Sequence, residues 1–129
     1  MENQQKSINP ELLLLSQKLS INKIQSDLIN IGINYFDKAN LTSKEAADYA
    51  FEAKVVVEFL ENSKSWDSNE SVKKQMKDLK SWVDLRQRKK DLSLMIFELF
   101  DHRNANQIIE YLVTIDSMFK FLEKVDEVL

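Results

Sequence analysis

The residues of this chain best suited by type and spacing to reaction chemistry are two acidic pairs and one histidine. Glu58 with Glu61 and Glu98 with Asp101 are each three apart, so each pair shares one face of a helix. Facing carboxylate pairs can hold Mg²⁺ or a di-metal centre. A di-iron bundle also needs a histidine three residues after a glutamate, and neither pair supplies one. His102, the only histidine, falls between Asp101 and Arg103 at an expected helix C-terminus. There a surface role at the helix end is expected before a catalytic one. The chain has no cysteine, which removes thiol nucleophiles and cysteine zinc sites, and one glycine, which removes phosphate-cradling Gly-rich loops.

The spacing of Glu58, Glu61, Glu98 and Asp101 resembles the acidic pairs of the all-α nucleotide pyrophosphatases of the MazG type, whose metal site combines such pairs. The gap between the pairs is longer here, and Val57 stands where that family places an acid before Glu58. Phe36-Asp37-Lys38 followed by Leu41 to Glu45 looks like a shortened EF-hand. Counted from Asp37, however, Ala39, Leu41 and Thr42 occupy positions that need ligands and a glycine. The stretch is expected to be a tight helix-helix turn instead. No metal, no cofactor and no enzymatic activity are expected.

Charge is distributed unevenly. Between Lys73 and Lys90 lie eight basic residues (Lys73, Lys74, Lys77, Lys80, Arg86, Arg88, Lys89, Lys90) and two acidic ones, a local +6 in a chain of net charge -3. The remainder therefore sums to -9. Lys73, Lys77 and Lys80 share one helical face, and Arg86 to Lys90 cluster farther along. Such a helix can neutralise acidic neighbours within its own fold, recruit a protein with an acidic surface, or contact nucleic-acid phosphates. The expected function is a small protein-protein interaction module (adaptor, inhibitor or assembly component) docking through Lys73, Lys77, Lys80, Arg86, Arg88, Lys89 and Lys90. A helical nucleic-acid-binding protein is the alternative, and a carboxylate-metal hydrolase a distant third. Trp66, in a polar connector, is expected to be an interface anchor or a lid on the bundle end, while Trp82 is expected in the core beside Leu79 and Val83.

The elements that must position these residues read as helices. Asn9-Pro10 is an N-cap with proline at the first helical position. Leu12 to Leu15 is apolar all round, and a break is expected near Ser20-Ile21-Asn22 before Ile24, Leu28, Ile31 and Tyr35 resume the rhythm. Gly32 marks a close helix crossing. Asn40 closes this region, and Thr42 with Glu45 forms a capping box for a second helix reaching about Asn62. Asp67 with Glu70 opens a third, whose rhythm of Val72, Met76, Leu79 and Val83 resumes at Leu92, Met95, Ile96, Leu99 and Phe100. One helix of about 30 residues and ~45 Å would cover it. After a turn capped by Asn104, the fourth carries a seam of Ile108, Leu112, Ile115, Phe119 and Leu122. Phe119 and Phe121 point about 200° apart, so that helix is either central or uses one face in a homodimer.

The chain thus reads as all-α: a polar tail over residues 1–8 and a single-domain bundle of about four amphipathic helices over 9–129, antiparallel or orthogonal. Its 129 residues, 43% hydrophobic and 30% charged, suffice for one core and a charged exterior. The start carries no signal-peptide pattern and no apolar run approaches a membrane span, so a cytoplasmic location and no membrane partner are expected.

Overall fold

A computed structural model describes residues 8–39 and 42–129. Residues 1–7 of the expected 1–8 tail and the Asn40 cap lie outside them, while Ile8, the last residue of that stretch, packs against the core. The described residues form six α-helices and two single 3₁₀ turns, with no strand among them. The helices are α1 (Pro10–Lys18), α2 (Ile21–Ala39), α3 (Ser43–Asn62), α4 (Asn69–Trp82), α5 (Leu85–Glu98) and α6 (Ala105–Val128). The all-α class stands, and the count of four does not, because two expected helices each divide.

The first division falls where the apolar phase shifts, between Lys18 and Ile21. Its two sides are tied to the rest of the fold rather than to each other. Lys64, in the 3₁₀ turn after α3, donates to the carbonyls of Ser16 and Leu19 at the α1 C-terminus, where a cation is favoured. At the other end of α1, Asn9 caps Glu11 N at 2.8 Å ahead of Pro10, and the Asn9 N–H donates to Asn69 Oδ1 at 2.9 Å.

The second division was hidden by an unbroken apolar rhythm. Val83 is extended (φ -133°, ψ 124°), and Asp84 accepts from Gln87 N at 3.1 Å, capping α5 afresh. A short acid that can bond the backbone locally competes with helix continuation. Val83 stays in register with the core at 1% exposure, so the chain bends there without losing its apolar face. The opening cap of α4 is Ser68, bonded to Ser71 N at 3.2 Å, one residue beyond the expected Asp67. The Thr42–Glu45 capping box of α3 forms in both directions.

Helix α6 carries much of the core. Phe119 and Phe121 are both buried, as are Leu122 and Val125, because α6 packs against α1, α2 and α5. The helix is central along that stretch, so these two rings are not a dimer surface. Leu112 of the expected seam is 41% exposed, and Tyr111 takes its place inside. Lys23 joins α2 to α6 through Asp27 at 3.2 Å and Glu110 at 3.5 Å.

α2 and α3 cross closely at Gly32. A Cβ built there would lie 2.6 Å from Tyr49 Cε1. The Tyr49 ring has little room to yield, because its hydroxyl donates to the Leu28 carbonyl at 2.7 Å and Phe36 packs edge-on against it at 5.2 Å. Alanine gains about 1 kcal/mol of helix propensity over glycine, while overpacking costs about 1–3 kcal/mol. Gly32→Ala is therefore expected to lose about 1 kcal/mol net, read as a lowered urea midpoint at unchanged slope. A raised midpoint would show that the crossing is loose.

Candidate functional site

The basic run divides into residues the fold consumes and residues it leaves outside. Arg88 reaches Glu52 on α3 through two nitrogens, at 2.5 and 3.2 Å, and Asp91 at 3.4 Å. Both Arg88 and Glu52 side chains are only about one-fifth exposed (22% and 20%), so this forked pair is the strongest of the set. Lys89 pairs with Glu123 at 2.8 Å and Lys80 with Asp126 at 3.0 Å, both on α6. These three cations hold α4 and α5 to acidic neighbours within the fold. Lys73, Lys77, Arg86 and Lys90 are exposed and make no ion pair among the described residues.

Lys73, Lys77 and Lys80 occupy the flank of α4 turned to α6, lining with Met76 and Leu129 a hollow of about 270 Å³. It is continuous, through Lys80 and Asp126, with a groove of about 660 Å³ reaching Arg86 and Lys89. The acids Glu123 and Asp126 sit in the same groove, so the positive field there is partly cancelled.

Of the two tryptophans, Trp66 takes the lid place and Trp82 leaves the core. Trp66 is 6% exposed, stacked on Phe121 at 5.8 Å and edge-on to Phe59 at 5.5 Å, with its indole N–H donating to Gln75 Oε1 at 2.9 Å. It closes the bundle end and cannot anchor a partner. Trp82 is 64% exposed and rests edge-on against Phe51 at 5.6 Å. With α4 ending at Trp82, Val83 takes the inward position instead. On α4, Trp82 lies on the flank opposite Lys73 and Lys80.

The outward face of α5 carries a different combination. Arg86, Lys90, Leu94 and Phe97 follow one another at spacings of four, four and three, which places them on one stripe. Leu94 is 58% exposed and Phe97 77%. Phe100, Ile109 and Val113, beyond the end of α5, are also exposed. Phe100 was expected inside, but α5 ends at Glu98 and the chain turns away before reaching it. Leu94 and Phe97 escaped the sequence reading because they fall outside the inward rhythm of Leu92, Met95, Ile96 and Leu99. That same displacement, three apart and four and seven residues after Lys90, was the available signal.

Beside this ridge, α2 and α3 enclose an apolar groove of about 640 Å³. Ile29 and Ile33 form one wall, Ala46, Ala50 and Ala53 the other, and Glu58 and Glu61 stand at one end. The small side chains of Ala46, Ala50 and Ala53 leave open space over α3. A smaller pocket of about 380 Å³ between α2, α3 and α5 shares Phe36 and Tyr49 with the groove and receives Leu94.

Tyr49 forms part of both walls, and burial pushes its phenol far above the ordinary tyrosine value, against an opposing pull from Arg88. Below about pH 10 both folded and unfolded chains keep the phenol protonated. Above it the unfolded chain ionises first, so the folded state loses stability as pH rises. Tyr49→Phe is expected to flatten the loss of stability between pH 9 and 11, followed by denaturant unfolding at each pH. An identical slope in the variant would assign the alkaline loss elsewhere.

The two acidic pairs do not gather into one cluster. Glu58 is exposed and lies 3.9 Å from Lys54, while Asp101 pairs with Arg103 at 3.0 Å and caps a 3₁₀ turn. The Arg103 guanidinium and backbone N–H hold the Asp101 carboxyl below its usual range. His102 is exposed, its ring edge-on to Phe100 at 5.6 Å. Among the described residues no three His, Cys, Asp or Glu side chains gather to hold a metal ion, and no helix is long and apolar enough to cross a membrane. Comparison of the chain with known protein families, curated proteins and solved structures found no match.

Proposed function

We propose that this chain is a protein-interaction module whose docking surface is the outward face of α5. The carrying observation is the stripe Arg86–Lys90–Leu94–Phe97, in which two cations without ion-pair partners among the described residues lead into two exposed apolar side chains. A contiguous exposed apolar patch rimmed by charge is the usual mark of a partner surface. Arg86 and Lys90 steer an acidic partner and fix its register, and Leu94 and Phe97 supply the buried centre of the contact. Lys73 and Lys77 extend the positive field along α4, whereas Lys80, Arg88 and Lys89 serve the fold.

An exposed aromatic beside cations can also stack on bases, but one helix face offers no flat platform for successive bases and the aliphatic Leu94 suits an apolar contact, so a protein partner is favoured over nucleic acid. Arg86→Glu with Lys90→Glu is expected to reduce partner capture at least tenfold at low salt and to leave the helical circular dichroism unchanged. Capture at the wild-type level would defeat the reading. Retention of nucleic acid alone, lost steeply with rising salt, would transfer the surface to phosphate binding.

A further inference from the structure

Resting on that reading, we infer that the α5 ridge is received by the α2–α3 groove of a second copy of this chain. The groove and the ridge match in length, chemistry and charge. From Ala46 to Glu58 the α3 wall runs about 18 Å, and from Arg86 to Phe97 the ridge runs about 16 Å. The groove is apolar along Ile29, Ile33, Ala50 and Ala53, with small side chains that let another helix approach, and it ends at Glu58 and Glu61. The ridge is apolar at Leu94 and Phe97 and ends at Arg86 and Lys90. An incoming α5 antiparallel to α3 thus places Phe97 toward Ala46 and the two cations toward the two acids. Lys54 stands on the same rim, 3.9 Å from Glu58, and leaves that end with one net negative charge. Helix α3 as a whole carries five acidic and two basic residues. An amphipathic helix laid in an apolar groove is a recurring mode of recognition.

Within one copy the two features lie on different flanks of α3: Ala46, Ala50 and Ala53 line the groove, whereas α5 meets α3 through Glu52 and the pocket lined by Asp48 and Leu94. A groove is therefore filled by the ridge of another copy and not by its own.

Sedimentation velocity over a wide concentration range tests this on the full chain. The expected result is a concentration-dependent dimer, weakened at least tenfold by Phe97→Asp, by Ala50→Arg in the groove, and by Glu58→Lys with Glu61→Lys. Combining that last pair with Arg86→Glu and Lys90→Glu in one chain restores the dimer, since both sides of the contact are reversed together. All these positions lie on exposed helix faces, and circular dichroism checks that each variant is folded. A monomer at every concentration overturns the inference, as does a dimer indifferent to Ala50→Arg or a charge swap without recovery. If the chain is monomeric while Phe97→Asp still loses capture of a different protein, the dimer falls and the α5 docking surface stands. If Phe97→Asp matches wild type in both assays, the docking surface itself falls.

Discussion

Replacing Trp66 by alanine is expected to destabilise the protein by about 3–5 kcal/mol, the range for deleting a large buried aromatic. Three losses combine. The indole leaves a void between Phe59 and Phe121, which together clamp its two sides. Its transfer from water is forfeited, since the residue is only 6% exposed. Gln75 Oε1, on partly buried α4, loses the N–H that it accepts at 2.9 Å. Against a typical net stability of about 5–15 kcal/mol this is a large fraction, and the effect would be read as a shift of the denaturant midpoint. A loss under about 1 kcal/mol would put Trp66 back at the surface. Any fall in partner binding by Trp66→Ala should follow the fraction folded, because the buried Trp66 acts through the end of the bundle.

Phe97→Asp is expected to behave in the opposite way. The ring is 77% exposed, so its removal deletes little intramolecular packing, and the change in stability should stay within about 0.5 kcal/mol. In the contact it is the largest exposed side chain on the α5 stripe and sits beyond the two cations. A central aromatic of that kind commonly contributes 2 kcal/mol or more, about thirtyfold in affinity, and an aspartate there also meets an acidic partner with like charge. Titration of the captured partner against folded Phe97→Asp protein measures it. An affinity within threefold of wild type would show that Phe97 is an idle surface residue.

The two substitutions also show which features a single sequence can carry. Signals confined to a few neighbouring residues were readable: Asn9 with Pro10, Thr42 with Glu45, the phase shift before Ile21 and the close crossing at Gly32 each depend on local stereochemistry. The bend at Val83 was not, because the rhythm of Val72, Met76, Leu79 and Val83 is satisfied equally by one long helix or by two sharing an apolar face. Trp82 departs from its expected place, and Trp66 has two open places, for a related reason. A polar connector does not reveal that its one aromatic folds back onto α6, and a helix pattern does not reveal where the helix stops.

The basic run was visible as a run, but its division was not. Whether a lysine meets Glu123, Asp126 or solvent depends on how α4 and α5 lie against α6, a tertiary arrangement with no trace in the spacing of lysines. The docking stripe lay partly within reach, since Leu94 and Phe97 are the large apolar residues of α5 that break its inward rhythm. Their exposure, unlike their register, needed the fold.

The proposed role of the outward face of α5 is to bind a protein. Its most direct measurement is affinity co-purification from lysate of the cells that make this chain, with and without nuclease, using wild type, Phe97→Asp and the Arg86→Glu, Lys90→Glu variant in parallel. The expected result is a stoichiometric protein, either a second copy or another chain with an acidic and apolar surface, that survives nuclease and is lost with both variants. A partner retained equally by all three, or nucleic acid alone, would contradict it.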